Sequence, residues 1–252
     1  MDYVRASGSN YGLTFNWKKL ENMPVRCNAE FFTPTGDPIQ LKQSFKYLGS
    51  MLSSSGKAGT ELSCRLGASR KEFDNLCRVW SHAALSKQKK HRIYIACVVS
   101  KLMYALETLY LNAAEIRKLD AFHHRCLRRI AGVKPSFYSH VSNQSVRDSL
   151  QAEPLKQVLL KRQLLYFGYL AAKPSNNVLR NFVFASGSVM LRPVDGPRRK
   201  GRPRSNWIQY LHKISLDIVG GDSSRLENLW ASTRAAKSAW REAVGQYCAV
   251  AL

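Results

Sequence analysis

Lysine and arginine are the side chains of this sequence with the clearest chemical purpose, because they greatly outnumber the acids. The chain has 39 of them against 17 aspartates and glutamates, which gives a formal net charge of +22. Such a chain repels itself unless it meets a polyanion, so nucleic acid is the leading expected partner. The cations that we expect to contact phosphate are Arg65, Arg70, Lys71, Lys87, Lys89, Lys90, Arg198, Arg199, Lys200, Arg202 and Arg204.

The densest cluster is the run from 196 to 204, which lacks apolar periodicity. We expect this run to stay extended until it meets phosphate. Its core, Lys200-Gly201-Arg202-Pro203, is similar to an AT-hook, a segment that fits the narrow minor groove of A·T tracts. A nuclear-import signal is the alternative interpretation of the same residues.

Other kinds of site find little support in the residue spacing. His123, His124 and Cys126 suggest a metal site, but adjacent histidines point about 100° apart on a helix, and no fourth ligand is near in sequence. The cysteines form no CxxC pair, so neither a zinc knuckle nor a disulfide framework is expected. A phosphate loop would need a glycine where Met51 stands. The acids at 217, 222 and 227 lack the strand-like setting and the lysine that a nuclease needs.

The elements that must position the cations fall into four predicted parts. The patterns favour a mainly α fold with a small N-terminal antiparallel β portion, which is an α+β chain. The parts are the β portion with a hairpin at 1–57, a helical domain at 58–172, a basic flexible linker at 173–204 and a small C-terminal helical region at 205–252. In the β portion, alternation predicts that Phe31, Ile39 and Phe45 share the buried face.

Two helices carry clear sequence signals. Asn112 can cap a helix that runs from 113 to 131 and ends at Gly132. Its apolar positions predict an inward face made of Leu119, Phe122, Cys126 and Ile130.

A second helix, expected from 86 to 111, would bury Glu107, which then needs a cation such as Arg125 or Arg128. Its apolar run is interrupted by charges, so we expect a buried helix and no membrane contact. In the C-terminal region we expect Trp207, Trp230 and Trp240 to form a small core.

The segment from Ser44 to Leu52 resembles the FxYLGS block of reverse transcriptases from non-LTR (LINE-type) retrotransposons. In that family the block is a hairpin at the junction of palm and thumb and holds the primer. The resemblance therefore implies a primer grip formed by Phe45, Lys46, Tyr47, Leu48 and Gly49.

Further blocks resemble the same family in the same order along the chain. Residues 12–21 are similar to GLxxNxxKTE, with Leu20 at the usual threonine, and imply that Lys19 assists near the incoming triphosphate. Residues 102–109 resemble LLYGxETW, with Ala105 at the glycine. Residues 119–132 match LDxFHxRCLRxIxG, and 201–207 match GRPxxxW. The resemblance implies the end of the palm at 1–57 and a thumb-like domain at 58–172.

The family's catalytic aspartates lie upstream of the GLxxN block, so we expect no catalytic carboxylates here and no polymerisation by this chain alone. The resemblance implies a fragment of an RNA-directed DNA polymerase that binds template–primer or target nucleic acid, RNA or DNA. Mg²⁺ is expected only for the complete polymerase, and the family's palm and fingers are a further expected partner. The alternative is a stand-alone basic DNA- or RNA-binding protein derived from a retroelement. No signal peptide is evident, which favours a nuclear or cytoplasmic protein.

Overall fold

A computed structural model describes residues 2–25, 27–81, 84–193 and 206–250. The chain divides into two compact units, Met1–Cys64 and Arg65–Leu252. The division lies seven residues beyond the predicted boundary at 57, inside a long helix. The predicted fold class, mainly α with a small antiparallel β portion, is confirmed, because helices dominate and a two-stranded antiparallel sheet lies near the N-terminus.

The first unit is built mostly from short elements. Its residues form the helix α1 and the strands β1 to β4, with bounds Asp2–Ser9, Glu21–Asn22, Gln40–Leu41, Ser44–Tyr47 and Ser50–Ser53. Strand β1 pairs with β2 in parallel, whereas β3 pairs with β4 in antiparallel fashion. The antiparallel pairing that the sequence predicted is therefore confirmed for the β3–β4 hairpin, but it is wrong for β2, which pairs in parallel with β1 in a separate sheet.

The predicted shared face of the β portion is wrong for one of its members. Ile39 is buried, and Phe45 is half-buried, but the side chain of Phe31 is 44% exposed. The reason is that β2 pairs with β1, while the segment around Phe31 contributes only an isolated bridge from Phe32 to Pro38. No extended ladder therefore turns Phe31 toward a core.

The second unit is helical. Helix α2, Gly59–Ser81, leads into it, and its further α-helices, α3 to α12, are Lys87–Tyr94, Ser100–Met103, Ala113–Ala131, Ser136–Ser139, Asn143–Leu150, Leu155–Ala171, Val178–Val183, Trp207–Ile218, Ser223–Leu229 and Arg234–Val250. The most extensive helix packing joins α8 to α12 and α5 to α7. Helix α8 thus connects the helices that precede it in this unit, such as α5, with those that follow it, such as α12.

Helix α5 confirms the bounds and the inward face predicted for it. The Asn112 side chain accepts hydrogen bonds from the N–H groups of Ala114 and Glu115, and the Glu115 carboxylate accepts one from the Asn112 N–H, which is a capping box. Gly132 ends the helix in the left-handed region at φ 71°. All four predicted inward residues are buried.

The predicted helix from 86 to 111 is instead broken twice. A π-helical turn, Ile95–Val99, separates α3 from α4, and Ala105 then adopts the left-handed region at φ 61°. Glu107 lies in the short 3₁₀ turn that follows. Its expected cationic partner is not Arg128, whose guanidinium bonds to other groups. Among the described residues, the buried Glu107 Oε2 atom has no hydrogen-bond partner.

The three tryptophans of the C-terminal region lie in one apolar cluster, which is larger than the small core expected because it includes α8. Trp230 and Trp240 contact edge to face with their ring centroids 5.5 Å apart, and Trp207 lies 5.7 Å from Phe167. The Trp240 indole N–H donates to the Leu164 carbonyl at 3.1 Å. The C-terminal helices therefore share one core with α8 and do not form a separate region.

Part of the predicted flexible linker is folded. Between 173 and 193 the chain forms α9, and Phe184 is buried in the same core. The buried Arg180 guanidinium organises this segment, because it donates to the carbonyls of Ala171 at 3.2 Å and Ser188 at 2.7 Å. The composition suggested a linker, but the short apolar stretch before Phe184 is sufficient to dock it. The remainder of the predicted linker, 194–204, lies outside the described residues.

Candidate nucleic-acid interface

The β3–β4 hairpin is held in one geometry by its turn. Leu48 and Gly49 form the two-residue loop and both have positive φ, 46° and 84°. Such a pair is typical of a type I′ turn, whose twist matches that of the flanking strands. Tyr47 faces Ser50 across the hairpin, and Lys46 faces Met51. The Met51 N–H also donates to the Glu61 carboxylate in the first turn of α2, which fixes the hairpin at its return strand.

This hairpin exposes most of the side chains that were predicted to grip a primer. Tyr47 is 58% exposed, Leu48 is 77% exposed, and Lys46 is also exposed, whereas Phe45 is half-buried. Successive strand residues point to opposite faces, so Phe45 and Tyr47 share one face and Lys46 lies on the other. The tip therefore offers a cation and an aromatic ring on opposite sides of a well-defined turn.

Lys19 ends a short 3₁₀ turn, Trp17–Lys19, and its side chain is exposed. A shallow cleft beside this turn is lined by Lys18 and by residues of the 33–40 segment, without Lys19. The assisting role of Lys19 at a triphosphate stays a prediction.

The predicted cations on α2 differ in their surroundings. Arg65 is half-buried, and its guanidinium carbon lies 4.6 Å from the centroid of the Tyr104 ring, which is a cation–π contact. Arg70 and Lys71 are exposed. Their charged groups form no hydrogen bond or ion pair with any described residue. Arg70 and Lys71 are therefore open to phosphate, whereas Arg65 also packs on the Tyr104 ring.

The basic residues from Lys87 onward form the first turn of α3, as predicted. Ser86 is the N-cap, and its hydroxyl accepts from the Lys89 N–H at 3.3 Å. Lys87 and Lys89 are exposed, and Lys90 is half-buried. Cations at a helix N-terminus oppose the helix dipole, so an anion bound there would remove an electrostatic cost. The last predicted cluster, Arg198, Arg199, Lys200, Arg202 and Arg204, lies outside the described part of the chain.

A groove beside α5 brings together cations that the sequence analysis did not assign to nucleic acid. It is lined by Ala121, His124, Arg125, Arg128, Arg129, Val133, Pro135, Ser136 and Asn143. Arg125 and Arg129 are four residues apart and therefore lie on one helix face. That spacing was visible in the sequence, but we considered Arg125 and Arg128 only as partners for Glu107.

The two adjacent histidines have separate structural roles. His123 is buried, with Nδ1 2.9 Å from the Tyr94 hydroxyl and Nε2 3.2 Å from the Glu153 carbonyl oxygen. Burial lowers the pKa of His123 to about 3, so the ring stays neutral and donates from Nε2. His124 Nε2 accepts from Arg147 at 2.5 Å. Burial, followed by the Arg147 charge, lowers the pKa of His124 as well.

No group of three or more histidines, cysteines or acids that could hold a metal ion occurs among the described residues. None of the helices in the described ranges is long and apolar enough to cross a membrane. No family model, no curated protein and no solved structure matches this chain.

Proposed function

We propose that this chain binds template–primer or target nucleic acid as a part of an RNA-directed DNA polymerase of the non-LTR retrotransposon type. The proposal concerns binding by the chain itself and not polymerisation. The spaced sequence blocks support the family, and the charge supports the ligand.

The observation that carries the proposal is the large excess of exposed, unpaired cations. The net charge is +22, and the charged groups of Arg70, Lys71, Lys87 and Lys89 have no partner among the described residues. Leaving such groups unneutralised disfavours a compact fold, whereas each phosphate contact releases counterions and strengthens binding. A polyanion is the ligand that removes this repulsion.

The hairpin supports a role at the primer. Lys46 is placed to neutralise a phosphate, and Tyr47 presents a ring that can contact a sugar or a base. The type I′ turn fixes the backbone that carries both groups before the ligand binds, so little backbone entropy is lost on binding.

Binding to a labelled RNA–DNA hybrid, to duplex DNA and to single-stranded RNA across a salt series tests the proposal. We expect the Lys46→Ala/Tyr47→Ala variant to lose affinity for the hybrid more than for duplex DNA. Lys57→Ala is the matched control, since Lys57 is also exposed in the first unit. A chain with 197–204 deleted separates the hairpin from the basic run.

A hybrid preference that survives the deletion and falls with the hairpin variant supports the primer grip. Binding that does not discriminate among the three ligands and vanishes with the deletion contradicts it and leaves a basic nucleic-acid-binding protein. Absence of binding to all three ligands contradicts the whole proposal.

A further inference from the structure

The groove beside α5 is bordered by a loop that a buried arginine holds in place. Arg128 is 8% exposed, and its guanidinium donates to the carbonyls of Lys134 at 2.8 Å and Val141 at 2.5 Å and to Asn143 Oδ1 at 2.9 Å. These bonds connect α5 to both ends of the segment between 134 and 141. A loop anchored at both ends by one planar side chain is fixed before any ligand arrives.

The segment 134–141, called the anchored loop below, contains the short helix α6, which presents two aromatic rings to solvent. Phe137 is 81% exposed and Tyr138 is 71% exposed, and their rings contact each other edge to face at 5.3 Å between centroids. Single exposed apolar residues are common on protein surfaces. Two adjacent exposed rings on a rigid turn, directly after the groove residues Pro135 and Ser136, form a more specific feature.

The groove itself is positively charged. Arg125 is exposed, and its guanidinium has no partner among the described residues. The Arg128 bonds described above go to neutral oxygen atoms. Arg129 pairs with Asp74 at 3.1 Å, but both side chains are more than half exposed, so the pair contributes little and can exchange for phosphate. Within the described residues, no acidic side chain lines the groove.

We propose that this groove is a subsite for an unpaired, single-stranded segment of RNA or DNA. The inference rests on the proposed nucleic-acid binding and adds the place and the strandedness of the ligand. Arg125 and Arg129 contact successive phosphates, while Phe137 and Tyr138 stack on bases. Stacking requires an exposed base face, which a duplex offers only at its ends, so the rings select single strands.

The aromatic pair is tested with the full chain, a labelled oligouridine and an RNA–DNA hybrid of the same length. The Phe137→Ala/Tyr138→Ala variant is expected to bind oligouridine at least about fivefold more weakly, which corresponds to about 1 kcal/mol, the lower end of the stacking contribution per base. Its affinity for the hybrid and its salt dependence are expected to stay unchanged. Phe182→Ala is the matched control, because Phe182 is 71% exposed in the same unit.

The cationic part is tested with Arg125→Ala. We expect the slope of log K against log salt for oligouridine to decrease in magnitude by about 0.7, which is the value for the loss of one phosphate contact on a single strand. Arg225→Ala, which removes an exposed arginine from α11, should leave the slope unchanged.

The outcomes separate this inference from the proposed function. If the unmodified chain binds nucleic acid but the aromatic variant keeps its oligouridine affinity, the subsite is refuted and the proposed function stands. Equal losses on oligouridine and hybrid also refute it, because they indicate a general effect on the fold or the charge. If the unmodified chain binds neither ligand, both proposals fail.

Discussion

The contact between Gly168 and Trp240 gives a prediction whose sign depends on two opposing effects. Gly168 lies in the interior of α8, where glycine is normally worse than alanine by about 1 kcal/mol. A methyl group at this position would lie 2.3 Å from Trp240 Nε1 and 2.7 Å from its Cδ1. Helix propensity therefore favours Gly168→Ala, whereas packing opposes it.

Packing should dominate in this variant. Forcing an extra carbon into a filled core costs about 1–3 kcal/mol. Trp240 is only 3% exposed, and its N–H donates to the Leu164 carbonyl, so moving the indole also weakens a buried hydrogen bond that is worth about 0.5–1.5 kcal/mol. After the gain in propensity is subtracted, we expect Gly168→Ala to lower the free energy of unfolding by about 0.5–3.5 kcal/mol.

Urea unfolding followed by far-ultraviolet circular dichroism measures this change as a shift of the midpoint at constant slope. Gly67→Ala is the matched control, because Gly67 also lies inside a helix but nothing would contact its new methyl group within 4 Å. The control is expected to gain up to about 1 kcal/mol. If both variants become more stable, the close approach of Trp240 to α8 is refuted.

Three more predictions concern strain, titration and the anchored loop. Ala105→Gly should raise the free energy of unfolding by about 1 kcal/mol, because it removes the strain of an alanine in the left-handed region. Ala121→Gly, in the interior of α5, is the control and should lower the free energy of unfolding by a similar amount. The urea midpoints of the two variants measure both changes. Since the folded-state pKa of His123 is about 3 against 6.5 for an ordinary histidine, stability is lost as pH falls below 6.5, by up to about 1.4 kcal/mol per unit. His123→Gln should therefore flatten the dependence of the urea midpoint on pH between 7 and 5. Arg128→Lys should cost about 1–3 kcal/mol, since an ammonium group cannot replace the planar fork, and thermal melts would show the loss.

The sequence predicted elements well where a local signal determined them. Helix α5 has the expected bounds because Asn112 caps its first turn and Gly132 ends its last turn, and both effects are local in sequence. The helix predicted from 86 to 111 breaks without such a signal, because Ala105, which adopts the left-handed region, is a residue type that favours helix. In the family block that residues 102–109 resemble, glycine stands at this position, and glycine adopts the left-handed region without strain.

The candidate interface was harder to predict from the sequence than the fold was. Exposed cations such as Arg70 and Lys71 could be listed because charge alone suggests them. Their packing could not be inferred, so Arg65 was placed in the same class although it stacks on Tyr104. The exposed pair Phe137 and Tyr138 was also missed, because the sequence does not indicate whether aromatic residues in a short connecting segment are buried or exposed.

Residues 119–132 supply the scaffold of the proposed subsite and also, through Arg125 and Arg129, part of its contact surface. Within that block, His123 is buried against Tyr94, Arg128 is bonded to loop oxygens, and Gly132 ends the helix. These three residues maintain the shape of the site. The proposed contacts with a ligand come from side chains that this scaffold displays, such as Arg125 on the helix and Phe137 on the anchored loop. A scaffold variant such as Arg128→Lys should therefore weaken oligouridine binding only through lower stability or a loosened loop, whereas Arg125→Ala should weaken it without a loss of stability.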